Sequence, residues 1–174
     1  MKKIFYTPAT NFASTNEAIE YVLEKEYKIK NITIVRNENG KPYIKENNSI
    51  FFSVTHTNDF LFLVFCNQNI GIDAESTTRK VDYAPILKKF TSTEREEIQT
   101  KEDFLRFWTI KESIVKWLGS SLALDLQKVS FVNHQAYYKS IPLPVYIQTK
   151  NFHNHLISIC SEVDFENVEF LSIT

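Results

Sequence analysis

Only three glycines, two cysteines and one methionine occur in the 174 residues. Two cysteines are too few for a disulfide framework, and each closes an apolar run: "FLFLVFC" ends at Cys66 and "LISIC" at Cys160. Such positions suit buried free thiols and a reducing compartment. Charge of one sign is missing as well. Twenty Lys and Arg stand against twenty-one Asp and Glu, which argues against a surface built to coat nucleic acid or an acidic membrane. The longest apolar run, Phe60 to Cys66, is far too short to span a bilayer, and "MKKIFYTPAT" has two lysines but no apolar stretch of signal-peptide length. A cytoplasmic protein is therefore expected, with no nucleic-acid or membrane partner. What the chain does have is apolar material: 43% hydrophobic and 14% aromatic residues are ample for a packed core.

Periodicity organises this material twice in the same order. Ser14 and Glu17 have capping-box spacing, and Ile19, Val22, Leu23 and Tyr27 recur at helical intervals, so a helix is expected from Ser14 to Lys28. "NITIV" (Asn31 to Val35), "IFFSV" (Ile50 to Val54) and "FLFLVFC" then read as strands, with a turn at Asn39-Gly40. After "NIGIDAES" comes a polar, partly basic connection, "STTRKVDYAPILKKF", and a second capping box from Thr91 to Glu94. Phe104, Leu105, Trp108, Val115 and Leu118 mark a long helix from Glu102 to Leu118, stopped by Gly119. "KVSFV", "PVYIQT", "LISIC" and "VEFLSI" follow as short strands. The expected fold is α+β: two similar lobes related by a pseudo-twofold, each a long helix on a small, mostly antiparallel sheet. The lobes are read as residues 1–68 and 69–174, meeting at a cleft.

The chemistry-bearing residues sit on either side of this division. In "GIDAES", Asp73 and Glu75 point the same way from a strand, roughly 6–7 Å apart, and two carboxylates so placed repel unless a cation lies between them. In "FWTIKESIVKWLG", Glu112 and Lys116 share a helix face one turn apart, with Lys111 adjacent. Taken singly, these features read as a solvated strand edge and an ordinary surface ion pair.

Their order along the chain does more. "VTHT", then "GIDAE", then "FWTIKESIVKWLG", with Phe90 and the Thr91–Glu94 step between the acidic motifs, resembles the 4′-phosphopantetheinyl transferase superfamily, in its two-lobed, single-chain type activating surfactin synthetase. The resemblance runs from "GKPYI" at Gly40 to "LGSSLAL" at Leu118 to Leu124; the chain outside it matches only in coarse pattern. It implies transfer of the phosphopantetheine arm of coenzyme A to a serine of an acyl or peptidyl carrier protein, with release of adenosine 3′,5′-bisphosphate. By the same resemblance Asp73, Glu75 and Glu112 hold Mg²⁺, a hard cation suited to carboxylate oxygen. Glu112 would take the serine proton and Lys116 would reach the phosphates. His56 and Thr55 of "VTHT" and Lys41 of the Gly-Lys-Pro turn would contact coenzyme A. A monomer is expected, because one chain supplies both lobes.

Two departures from the family pattern stand out. The first helix lacks the arginine that many relatives use for a coenzyme A phosphate, leaving Lys25, Lys28 and Lys30 as replacements, and "GSSL" replaces the more usual Gly-x-Gly-Leu. A homologue that binds carrier protein or nucleotide without turnover is the alternative reading. Glu94 fits either a capping role or a family acidic position. "TEREEIQTKED" is similar to the metal-binding helix of Nudix pyrophosphohydrolases, but the glycine and further spaced acids of that box are missing.

Overall fold

The computed structural model describes residues 2–80 and 82–173. The chain runs β1 (Lys2–Pro8), α1 (Thr15–Tyr27), β2 (Ile34–Arg36), β3 (Pro42–Ile44), β4 (Phe51–His56), β5 (Phe60–Cys66) and β6 (Ile70–Ser76). A single 3₁₀ turn (Leu87–Lys89) leads to α2 (Ser92–Glu97), α3 (Lys101–Leu118) and α4 (Leu122–Asp125). The rest is β7 (Val129–Val132), β8 (Gln135–Tyr138), β9 (Ile141–Pro142), β10 (Tyr146–Phe152), β11 (His155–Ser161) and β12 (Val168–Ser172). The class is α+β with small, mainly antiparallel sheets, as the alternation of helical and strand patterns implied.

Helix ends follow the caps written in the sequence. The Ser14 hydroxyl accepts from Glu17 N–H, while Lys28, at φ 60°, ends α1 in the left-handed region. Thr91 and Glu94 form a reciprocal capping box at α2. A further box, Thr100 with Asp103, starts α3 one residue before the expected point, and Gly119 ends it at φ 69°. The expected strand at Asn31 begins only at Ile34, because Asn31 adopts φ 55°, which no strand residue takes.

Among the described residues four sheets result, ordered β12-β1-β5-β4, β10-β11-β6, β2-β3 and β7-β8-β9. The segment from Lys2 is an interior strand of the first sheet, and the final strand β12 pairs with it in parallel, Lys2 opposite Val168. Chain order and sheet membership thus part company at the C-terminus. Helix α1 buries Ala18, Ile19, Val22 and Leu23 with Phe5, Phe52 and Leu63 of the first sheet. Helix α3 buries Phe104, Phe107, Ile114 and Val115 with Val129, Leu156 and Cys160. A third core, of Ile4, Phe62 and Val64 with Ile70, Ile72, Ile157 and Ile159, lies between the first sheet and β6-β11. Cys66 and Cys160 are both free. No helix among the described residues is long and apolar enough to cross a membrane.

Candidate active site

Residues alternate faces along β6, so Ile70, Ile72 and Ala74 enter the third core while Gly71, Asp73 and Glu75 face the other way. Gly71 explains why a glycine-poor chain places one here. A Cβ on it would lie 2.0 Å from the Ser113 carbonyl oxygen and 2.6 Å from the Trp117 backbone nitrogen. Helix α3 therefore rests directly on the strand backbone, a closeness only glycine permits. Ser113 follows Glu112, so this contact sets the height of Glu112 above Asp73 and Glu75.

All three carboxylates come together, in different states. Asp73 is buried; its Oδ1 accepts 3.0 Å from the Thr55 hydroxyl and 2.8 Å from Lys116 Nζ. Glu75 is gripped through both oxygens by Arg79 Nη1, 2.7 Å each. Glu112 is buried, and no ion pair engages it among the described residues. Burial, and then the negative charge of Asp73 with a lesser part from Glu75, push its carboxyl up to about 9 against an opposing pull from Lys116. Among the described residues, no three acidic, histidine or cysteine side chains are arranged as they stand to enclose a metal ion. Arg79 occupies both oxygens of Glu75, and Lys116 with Thr55 takes one oxygen of Asp73.

The other candidates divide between two clefts. His56 and Glu75 line one of about 820 Å³, together with Asp59, Ser76, Arg79 and Lys80. The His56 Nε2 meets the Thr15 hydroxyl at 3.0 Å; burial and then the Lys116 charge lower the imidazole below its usual range. Lys41 and Lys116 line a second cleft of about 210 Å³ with Arg36, Gly40 and Pro42. Lys116 donates also to the Ile72 and Val54 carbonyls, at 2.9 and 3.3 Å, bridging β6 to β4. Lys41 Nζ donates to Asn69 Oδ1 at 2.6 Å and to the Ile70 and Trp117 carbonyls, and burial brings it down to about 8. Thr55 opens on neither cleft; its hydroxyl donates to Asp73 and accepts from Ala74 N–H.

Glu94 and Lys111 are a pair. Both are fully buried, Lys111 Nζ lying 3.0 and 3.2 Å from the two Glu94 oxygens and over the Phe90 ring, and Glu94 also accepts from Phe131 N–H. They tie α2, α3 and β7 together, and with its third donor on the Val129 carbonyl Lys111 has none free for a phosphate. The lysines offered in place of the missing arginine have partners too: Lys30 pairs with Glu24, and Lys28 donates to the Lys25 carbonyl. Sequence reasoning missed Arg79 as partner of Glu75. The signal was there, a Glu and an Arg four apart across "ESTTR".

Residues 69–160, which carry β6, α3 and β11, match the family model described as the 4′-phosphopantetheinyl transferase superfamily. The chain is 29% identical to 4′-phosphopantetheinyl transferase Sfp of Bacillus subtilis over 134 residues, 72% of this chain and 59% of that protein. It is 27% identical to 4′-phosphopantetheinyl transferase gsp of Aneurinibacillus migulanus, across 83% of this chain and 64% of that one. With the human L-aminoadipate-semialdehyde dehydrogenase-phosphopantetheinyl transferase it shares 29% identity over 58% of this chain and 38% of the human one. The chain thus spans about three fifths of the length of the two bacterial relatives. The matched segment holds Asp73, Glu75, Glu112 and the glycine that lets α3 approach them, and covers more than half of the residues: the chain belongs to the 4′-phosphopantetheinyl transferase superfamily.

Proposed function

We propose that this protein transfers the 4′-phosphopantetheine arm of coenzyme A to a serine hydroxyl of an apo acyl or peptidyl carrier protein, using Mg²⁺ and releasing adenosine 3′,5′-bisphosphate. The observation that carries this reading is the meeting of Asp73, Glu75 and Glu112 where β6 touches α3 at Gly71. Three carboxylates form a hard-oxygen donor set of the kind Mg²⁺ takes, and the raised Glu112 marks negative charge in excess of what Lys116 and Arg79 offset. The residues present fit the ion, once Glu75 leaves Arg79. When bound, Mg²⁺ supplies charge neutralisation for a pyrophosphate and its leaving group.

The chain's own residues account for the remaining roles. Glu112, ionised, accepts the proton of the attacking serine. Lys116, beside Asp73 and facing a cleft, adds positive charge where phosphate oxygens gather. His56, at the rim of the larger cleft, donates to a coenzyme A phosphate, and Lys41 meets the nucleotide end from the Gly-Lys-Pro turn. The site lies between two lobes, residues 1–68 with α1 and 69–174 with α3, and the C-terminal strand completes the first lobe's sheet. One chain supplies both lobes, so the protein acts as a monomer in the cytoplasm. The carrier docks beside Arg79, Lys80, Lys88 and Lys89, whose charge complements an acidic helix. Tyr83, Ile86 and Leu87 of the same segment pack largely onto the α3 core and stiffen this surface.

The test is release of adenosine 3′,5′-bisphosphate from coenzyme A. It should require both Mg²⁺ and an apo carrier protein, and a carrier whose acceptor serine is replaced by alanine should give none. Release without any carrier, or full rate in chelator, would refute the reading.

A further inference from the structure

The sequence pairs Thr55 with His56 as contacts for coenzyme A, yet the two side chains leave β4 on opposite sides. On β4, Phe52 and Val54 join the core under α1, while Ser53 and Thr55 alternate with them and face β6. Among the described residues no backbone ladder joins β4 to β6: β4 pairs with β5, and β6 pairs with β11. Side chains do that work. The Ser53 hydroxyl accepts from Ile72 N–H at 3.0 Å, and the Thr55 hydroxyl accepts from Ala74 N–H at 3.3 Å. Ile72 and Ala74 flank Asp73, so the two hydroxyls hold the backbone on either side of it.

We propose that Thr55 is a positioning residue for Asp73, its hydroxyl committed to that carboxylate rather than to coenzyme A. Its one proton goes to Asp73 Oδ1 at 3.0 Å, its oxygen is occupied by Ala74 N–H, and it is only 4% exposed. A hydroxyl so committed has no proton left to donate to a phosphate oxygen, which accepts hydrogen bonds and cannot use the remaining lone pair. With Lys116 on the same oxygen, Thr55 fixes which lone pairs of Asp73 stay open toward Glu112. The branched Cβ restricts χ1 and so fixes where the hydroxyl oxygen sits, whereas serine would retain that freedom. The hydroxyl acts as an outer partner that aims a ligating carboxylate. The inference rests on the reading of Asp73 as part of the acidic site.

The test compares Thr55→Val, which keeps the shape and loses the hydroxyl, with Thr55→Ser and with Ser53→Ala. Ser53→Ala removes the equivalent bond to Ile72 N–H but none to Asp73. Mn²⁺ binding is followed by electron paramagnetic resonance, coenzyme A binding by calorimetry, and transfer by release of adenosine 3′,5′-bisphosphate. Thr55→Val should weaken Mn²⁺ about tenfold, the loss of one hydrogen bond to a charged group, and lower kcat in step while coenzyme A affinity stays within about twofold. Thr55→Ser should recover most of the Mn²⁺ affinity, and Ser53→Ala should leave it unchanged even where melting falls. Thr55→Ala serves the same comparison if the valine variant does not fold. Weakened coenzyme A with unaltered Mn²⁺ would overturn the inference, as would equal losses in Thr55→Val and Ser53→Ala. Wild-type protein that binds Mn²⁺ but transfers nothing refutes the proposed function and leaves the Thr55 comparison standing, whereas wild type that binds no Mn²⁺ refutes both.

Discussion

Gly71→Ala isolates the contact on which the site is built. The added methyl would stand 2.0 Å from Ser113 O, where ordinary carbon–oxygen contact is roughly 3.3 Å, so helix and strand must separate locally by about 1.3 Å. Both close atoms are backbone, Ser113 O and Trp117 N, so no side chain can swing away to absorb the clash. Overpacking of this kind costs about 1–3 kcal/mol, and a backbone-on-backbone clash belongs at the upper end. At about 2–4 °C per kcal/mol for a chain of this size, the melting temperature should fall by roughly 6–12 °C. The effect on catalysis should be larger than the effect on folding. Glu112 precedes Ser113, and a displacement near 1 Å between reacting groups costs on the order of a hundredfold in rate. Thermal melting by circular dichroism and steady-state release of adenosine 3′,5′-bisphosphate, measured well below the variant's own melting point, give the two quantities. A variant that melts within about 2 °C of wild type and turns over normally would show that the close approach is not what sets the site.

Asp73→Asn or Glu112→Gln should lower turnover by a hundredfold or more, about 3 kcal/mol in the barrier, with the fold intact; near-full rate at saturating Mg²⁺ would remove these carboxylates from the site. Because Glu112 holds its proton up to about pH 9 without metal, a cation must displace it, so Mg²⁺ affinity should climb as pH rises from 7 toward 9. Linkage fixes the sign for stability too: the folded carboxyl, raised above its unfolded value, keeps a proton that the unfolded chain loses above about pH 4.5. Metal-free stability should therefore decline between about pH 5 and 9, and Glu112→Gln should flatten that decline in denaturant titrations at several pH values. Lys111→Met leaves the Glu94 carboxylate buried without its cation and should cost about 3–5 kcal/mol in urea unfolding; a loss under 1 kcal/mol would show that the pair is not what joins α2 to α3. Charge reversal at Lys88 and Lys89 should raise KM for the carrier with KM for coenzyme A unchanged, and an unaltered carrier KM would move the docking surface elsewhere.

What the sequence revealed and what it hid divide along the range of the interactions. Caps, the apolar stripe of α3 and the same-face pair Asp73 and Glu75 are local, set by spacings of two to four residues, and all were legible. The parallel pairing of β1 with β12 joins the two ends of the chain, and nothing in "KKIFYTP" or "VEFLS" names the other as partner. The same limit governed the polar residues. A motif states which side chains occur together but not which way each points, so Thr55 and His56, adjacent in "VTHT", were read as one contact although strand geometry sends them to opposite faces. The pairing of Glu94 with Lys111 had no sequence signal, because it depends on α2 and β7 closing over α3, a tertiary event with no periodic trace. Gly71 lies between these cases. Its rarity in a chain of three glycines marked it as purposeful, but its purpose, admitting a helix backbone against a strand, became visible only when Ser113 was found 2.0 Å from where a side chain would begin. That contact brings a strand's pair of acids and a helix's single acid into one electrostatic unit, so Glu112 responds to both Asp73 and Glu75 although 36 residues of chain lie between Glu75 and Glu112.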